Sequence, residues 1–472
     1  MGANVRDMTR VHAFADDALD DLDAVGLVAA MHDGLSVADV IDAAIARAGA
    51  VDAALGAMAH AAFDRARNEA RTPRAGFFAG VPTFLKDNVD VEGMPTQHGT
   101  DAYVAKTRKH DGDFARMFLA TGVIPLGKTR LSEFGLNAAV DHARLGPVRS
   151  PWHLDHYAGA SSAGSAAFVA AGVVPIAHAN DGGGSIRIPA SFCGLFGIKP
   201  TWGIVPVYPH SPAWTLWHQG PISRTVSDAA SMLTLIAQPD VRDWAAAPAL
   251  GTDYRQDLDK GVKGLRIGYS PTLGYAKVDS EVATLVKRAV NEFTQFGAHV
   301  EELDLNLEDP IAIMQPMWAV ALALAVAPMS AAQRVLCDPG MLELAEPGFK
   351  LSALEYRQLE RARDAFGRRM TALYDQYDLL ITPQLAITAF AAGHEVPPDS
   401  DMKRWWQWSP FTYPFNLTQQ PAATVPCGFA ANGLPVAMQI VGAKFADALV
   451  LRAARAYEIA HPFVLPRIPK AD

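Results

Sequence analysis

Cysteine is scarce in this chain: three among 472 residues, Cys193, Cys337 and Cys427, with no CxxC pair. That excludes a disulfide framework and a zinc site built from closely spaced thiols, and it fits a reducing compartment. Basic residues are not in excess. Lys and Arg number 41 against 50 Asp and Glu, a formal net charge of −9. A broad phosphate-binding surface needs the opposite balance, so nucleic acid is not an expected partner. Apolar runs are short; the stretch 319–327 falls well below the ~20 residues that span a bilayer. The first residues carry no apolar core after a basic start, so no secretory leader and no membrane partner is expected. The expected location is the cytoplasm. Repeats, low-complexity tracts and long charge blocks are also missing. What is present is a chain 50 % apolar and 19 % charged, the composition of a globular protein with a large core.

Helical and strand signals alternate. Ser36 with Asp39 starts a helix whose apolar stripe is Val37, Val40, Ile41, Ala44 and Ile45. A second amphipathic helix over 279–293 lies between strand-like runs at 265–269 and 299–305, as in a strand–helix–strand unit. A long helix opens at Ser352, with Glu355 closing its capping box, and ends before the run 379–383. The alternation predicts α/β layering.

Chemistry concentrates between Gly159 and Pro200. The small residues from Ser162 to Gly172 predict a tightly packed helix, and Val173 to Ala179 a buried strand. Asn180, Asp181, Gly182, Gly183 and Gly184 then read as a turn, and Ser185 opens a further helix with Pro189 in its first turns. Successive glycines leave their N–H groups unobstructed. Such a turn can aim several donors at the oxygen of a carbonyl under attack, each worth ~3 kcal/mol in the transition state. Ser185 stands where a nucleophile would. A phosphate site is the competing reading, but no GxxxxGK[ST] pattern occurs. A plain tight turn with a capping serine is the other.

Upstream, Lys86 ends the apolar run Gly80–Leu85. An amine there is costly when charged, so burial lowers its pKa. Moving it from ~10.4 to near 7 takes roughly 4–5 kcal/mol, which points to a use for a neutral amine.

Lys86, the pair Ser161-Ser162 and Ser185 within DGGGSIRIPA resemble the amidase signature family. Further blocks follow in family order, among them GKTRLSEFG (127–135), GPVRSPW (146–152), GPISRTVSDAA (220–230) and GLPVAMQIVG (433–442). The NDGGGS form of the turn is most similar to that of 6-aminohexanoate cyclic dimer hydrolases and related actinobacterial amidases. The resemblance implies one amidase domain over 1–472: a mixed twisted central β-sheet covered by helices on both faces. It also implies an amino-terminal helical segment at about 1–70 and a peripheral strand–helix–strand region at about 260–310.

The same resemblance implies a Ser–cis-Ser–Lys triad with Ser185 as nucleophile, Ser161 as bridge and Lys86 as base, and a cis bond between Ala160 and Ser161. It puts the oxyanion hole at the N–H groups of Gly182, Gly183, Gly184 and Ser185. Ser162, Ser165, Asp181 and Arg187 are expected to support the turn, the last two as an ion pair, and Cys193 to be a small core residue. Alanine stands at 160 and 163, and Trp202 and Ala437 also replace usual family residues.

No cofactor or metal is called for. The expected reaction is hydrolysis of a carboxamide, apolar or aryl, with a small-molecule amide as the partner and a homodimer compatible with the family. The alternatives are the glutaminase subunit of a tRNA-dependent amidotransferase and a non-catalytic ligand-binding protein on the same scaffold. Trp214, Trp217, Trp405, Trp406, Trp408, Phe411, Tyr413 and Phe415 are candidates for an apolar pocket or for core.

Overall fold

Short strands assemble into one three-stranded sheet, one eight-stranded sheet and two two-stranded ribbons in the computed structural model, which describes residues 9–139 and 141–467. Residues 1–8 of the expected amino-terminal segment lie outside the described residues. A three-stranded sheet, ordered β1-β3-β2, comprises β1 (Met58–Ala61), β2 (Pro82–Lys86) and β3 (Ile124–Thr129). The main sheet has eight strands: β4 (Ile176–Asp181), β5 (Phe196–Lys199), β6 (His218–Ser223), β7 (Arg266–Tyr269), β8 (His299–Glu302), β9 (Leu379–Pro383), β10 (Ala422–Phe429) and β11 (Pro435–Gly442). Their order is β8-β7-β9-β11-β10-β5-β6-β4. Strand β7 runs parallel to β8 and β9, whereas β9, β11, β10, β5, β6 and β4 pair antiparallel in turn. The sheet is therefore mixed. Every residue of β4, β5, β6, β9 and β11 is buried, which requires cover on both faces.

Local signals explain the helices. Helix α1 (Val37–Leu55) begins where the Asp39 N–H donates to Ser36 Oγ, and it ends at Gly56 in the left-handed region. Helix α2 (Ala163–Ala170) is short and wholly buried; a Cβ on its Gly164 would lie 2.3 Å from the Ala57 carbonyl oxygen. The helix can approach that chain only with glycine there. Helix α3 (Arg187–Phe192) follows the glycine turn, α4 (Ser280–Gln295) joins β7 to β8, and α5 is the apolar helix Ile311–Val326. Helix α6 (Ala353–Ala372) has the full Ser352–Glu355 capping box.

The register corrects one expectation near the turn. His218 pairs with Asp181 and Gln219 with Asn180, so the ladder carries the strand through Asp181 and the turn starts at Gly182, not Asn180. Strand β4 also holds the small sheet in place. Thr83 Oγ1 donates to the Ile176 carbonyl at 2.9 Å, and the Lys86 N–H donates to His178 Nδ1 at 3.2 Å. The end of β2 is thereby fixed beside the end of β4.

Candidate active site

Lys86 is fully buried, and its amine has two polar partners: Ser161 Oγ at 2.6 Å and Asn180 Oδ1 at 2.6 Å. Neither partner is a carboxylate. Burial drives the amine well below the ordinary lysine value, and the more distant Asp181 charge only partly opposes that. Asn180 is itself fixed, since its Nδ2 donates to Asn88 Oδ1 at 3.0 Å. Behind the lysine, burial pushes His178 down to about 3. Because His178 Nδ1 accepts the Lys86 N–H, its Nε2 carries the proton and donates to Gln219 Oε1 at 2.8 Å. Residues 178 and 180 share one face of β4 and turn it toward β2.

Ser161 follows a cis peptide bond from Ala160. The left-handed residue in that loop is Gly159, with φ +83°, so alanine at 160 meets no backbone conflict. Ser165 Oγ donates to the His178 carbonyl at 2.8 Å and lies 2.8 Å from Thr129 Oγ1. Ser162 Oγ reaches the Asn180 carbonyl at 3.4 Å. Ser162, which precedes α2, and Ser165 within it thus both bind the backbone of β4.

Asp181 points to the opposite face of β4 from Asn180. Its carboxylate accepts from Arg187 Nε at 2.9 Å and Nη2 at 3.0 Å, from Asn416 Nδ2 at 2.8 Å, and from the N–H groups of Gly184 at 2.8 Å and Ile186 at 3.2 Å. Arg187 also donates to the Thr412 carbonyl, Gln439 Oε1 and Asn416 Oδ1. Burial raises the Asp181 carboxyl, but the Arg187 charge and these hydrogen bonds outweigh it and hold it well below the usual range. A buried pair this well satisfied clamps the turn between β4 and α3.

The clamp changes the expected oxyanion cradle. Gly184 N–H is committed to Asp181, while among the described residues the N–H groups of Gly182, Gly183 and Ser185 donate to no other group. Three of the four expected donors thus carry no other hydrogen bond among the described residues. Gly184, with φ +132°, makes the bend that turns its own N–H inward. Ser185 is 9 % exposed, the most accessible of the three proposed catalytic side chains, Lys86 and Ser161 being fully buried. Ser185 Oγ forms no side-chain hydrogen bond among the described residues, and no bond joins it to Ser161.

Aromatic rings wall the turn. A Cβ on Gly182 would come within 2.9 Å of Trp318 and 3.0 Å of Trp217, and one on Gly183 within 2.9 Å of Trp405. The rings, and not the backbone angles, call for glycine at these two positions. Trp318 is anchored by its Nε1, which donates to the Leu136 carbonyl at 3.0 Å. Of the candidate pocket aromatics, Trp217 and Trp405 face the turn and Trp406 packs against Trp405. Trp408 stacks on Phe192 in the core, Phe411, Tyr413 and Phe415 are fully buried, and Trp214 is a surface residue beside Trp244. Cys193 is fully buried, and burial pushes its thiol well above the ordinary value, as suits a core residue.

Comparison with known proteins decides the family. The Amidase family model matches residues 39–451. This chain belongs to the amidase family. AmiC, a protein named as an amidase in Mycobacterium tuberculosis, is 40 % identical over 98 % of this chain and 99 % of its own length. A bacterial aryl acylamidase of the amidase signature family superposes with TM-score 0.87 at 29 % identity, covering 94 % of this chain and 96 % of the other. The 6-aminohexanoate cyclic dimer hydrolase gives 0.88 at 27 %, over 95 % and 98 %. One component of the Thermotoga maritima glutamyl-tRNA(Gln) amidotransferase is more distant, at TM-score 0.76 and 27 % identity over 97 % and 99 %. The protein is an amidase and cleaves amide bonds by hydrolysis. Among the described residues, no helix is long and apolar enough to cross a membrane, and no cluster of three or more His, Cys, Asp or Glu could hold a metal.

Proposed function

We propose that this amidase hydrolyses apolar or aryl carboxamides through an acyl-enzyme on Ser185, with Ser161 as the bridge and Lys86 as the base. The observation that carries this reading is the buried Lys86 amine, 2.6 Å from the Ser161 hydroxyl and without a carboxylate partner. A neutral amine has one lone pair and two N–H groups. Donation to Asn180 Oδ1 leaves the lone pair for the Ser161 proton. Ser161 then takes the proton of Ser185 as that oxygen forms its bond to the amide carbon. The carbonyl oxygen gains negative charge under the N–H groups of Gly182, Gly183 and Ser185. Collapse of the tetrahedral species breaks the C–N bond, and the nitrogen leaves with a proton from Ser161, which is replenished from the Lys86 ammonium. Water repeats the relay on the ester and frees the carboxylate.

Substrate preference follows from charge and surface. Arg187 is spent on Asp181, Thr412, Gln439 and Asn416, so it offers nothing to a substrate carboxylate. The rings of Trp217, Trp318 and Trp405 offer apolar contact instead. The likeness to an aryl acylamidase supports the same preference.

A fluorophosphonate probe tests the nucleophile. Mass spectrometry is expected to find the adduct on Ser185, with labelling lost in Ser185→Ala. An adduct on another residue, or labelling that survives the substitution, refutes the assignment.

A further inference from the structure

We propose that the amine half of the substrate sits in a cavity of about 500 Å³ beside Ser161, so that the preferred substrates are N-substituted amides, RCONHR′, and not primary amides. The inference rests on Ser161 as the group that protonates the leaving nitrogen. In that step the C–N bond breaks, its electron pair takes the Ser161 proton, and R′NH2 departs while the acyl group stays on Ser185. Wherever Ser161 Oγ points, the leaving nitrogen must be close by.

The surroundings of Ser161 are defined by one glycine. A Cβ on Gly135 would lie 3.4 Å from each of Ser161 Oγ, Asn88 Nδ2 and Trp217 Cη2. Three groups from separate elements therefore converge over that position. Asn88, Trp217 and the adjacent Leu136 also line the cavity. Ser161 itself is fully buried, and the cavity begins at the side chains next to it, Asn88 and Trp217. Trp217 is the shared wall, since its other edge approaches Gly182 in the turn. A substrate with its carbonyl under the turn has its nitrogen passing Trp217, and any substituent on that nitrogen extends into the cavity.

The lining says what substituent fits. Phe114, Phe134, Leu136, Val207 and Pro209 give apolar walls for an aryl or alkyl group, alongside His98, Asp113 and the Asp90–Arg108 ion pair, within the size range of small-molecule sites. At the inner end, Asn88 and Gln219 each have the oxygen engaged, Asn88 by Asn180 and Gln219 by His178. Their amide nitrogens have no acceptor among the described residues. Gln219 is 5 % exposed, a buried donor at the cavity's edge. An R′ group with an apolar body and an acceptor such as a carbonyl or ether oxygen satisfies both. A primary amide loses only ammonia and leaves this space unused.

Matched substrates test it: phenylacetamide and its N-benzyl derivative share the acyl group, and ammonia and benzylamine have similar basicity. The wild type is expected to favour the N-benzyl amide in kcat/KM by ten-fold or more. Two separate plugs, Val207→Trp and Ala325→Trp, each fill the cavity from its outer wall, and each is expected to cut that preference at least ten-fold. Benzylamine is expected to inhibit the wild type competitively, a reading that needs no variant to fold. A wild type that prefers the primary amide, or that benzylamine leaves uninhibited, overturns the proposal. So does a preference that survives both plugs within two-fold. Ser185→Ala separates this from the catalytic reading: loss of both substrates upholds Ser185 as nucleophile whatever the plugs show, and retention of both overturns that reading instead.

Discussion

Lys86 and Lys128 sit at equivalent depth on neighbouring strands, both fully buried, and their partners differ. Lys128 Nζ meets the Asp87 carboxylate at 3.3 Å and Thr96 Oγ1 at 2.7 Å. Lys86 Nζ meets a hydroxyl and an amide oxygen. Burial works against charge at both sites; it lowers both amines and pushes Asp87 up to about 6. At Lys128 the carboxylate opposes that pressure directly, and the pair fixes the chain after β2, where Asp87 also accepts from the Gln97 N–H. At Lys86 no carboxylate is in contact, so the neutral form wins. Denial of a carboxylate favours the neutral amine at Lys86 as it does at Lys199, whose Nζ meets only carbonyl oxygens and His218; what sets Lys86 apart is the Ser161 hydroxyl. The same division recurs across β4, where Asn180 faces the neutral amine and its neighbour Asp181 is locked as an ion with Arg187.

The sharpest break of this comparison removes each amine. Lys86→Met should lower kcat by about 10²–10⁴-fold, the usual contribution of a positioned base, with the circular dichroism spectrum unchanged. The double substitution Lys128→Met with Asp87→Asn removes a buried pair together and should keep activity within a few-fold. Equal losses in both would show that the two lysines do the same work.

Arg187→Met breaks the ionised side of β4. It leaves the Asp181 carboxylate buried and unpaired, at a cost of about 3–5 kcal/mol in urea unfolding at pH 7. Because Asp181 is held below its unfolded value, the pair's contribution is complete above the unfolded pKa of ~3.9 and is lost as pH falls through the folded value. A variant as stable as the wild type at pH 7 would mean that the clamp contributes nothing.

Asn180→Asp makes the two faces alike. A carboxylate against the Lys86 amine favours the ammonium, and an opposite charge at this range moves a pKa by about 1–3 units. The acid limb of kcat/KM should move up by that amount, so activity is lost at neutral pH and regained in alkali. An unshifted limb would separate Lys86 from the rate.

The smallest effect is on the wild type's stability. Unfolded Lys86 binds a proton at neutral pH and folded Lys86 does not, so this residue makes stability rise with pH there. In Lys86→Met that part of the slope should vanish from urea midpoints between pH 6 and 8.

Much of this frame was legible in the chain. Ser352 and Glu355 announce α6 because a capping box is local chemistry, and α4 shows its stripe because one face meets solvent. The positions proposed for the triad were marked by glycines and by a lysine at the end of an apolar run. Asn180 was missed because the run of turn-forming residues after Ala179 masks the end of β4. The alternation of His178 and Asn180 with Ala177 and Ala179 is the signal that could have found it. Trp318 was hidden for another reason. Helix α5 is apolar on all sides, so periodicity does not single out the ring that meets Gly182. The commitment of Gly184 N–H to Asp181 depends on a bend that sequence does not encode locally.

The charge of the Lys86 amine is the most direct test of this account. NMR titration of lysine labelled at the side-chain nitrogen and its attached carbon, with the Lys86 signal assigned by its absence in Lys86→Met, reads that charge. The expected result is a neutral amine at pH 7 that takes up its proton only at a pH well below the ordinary lysine value. A Lys86 signal that remains that of an ammonium through neutral pH, in enzyme that is turning over substrate, would contradict it.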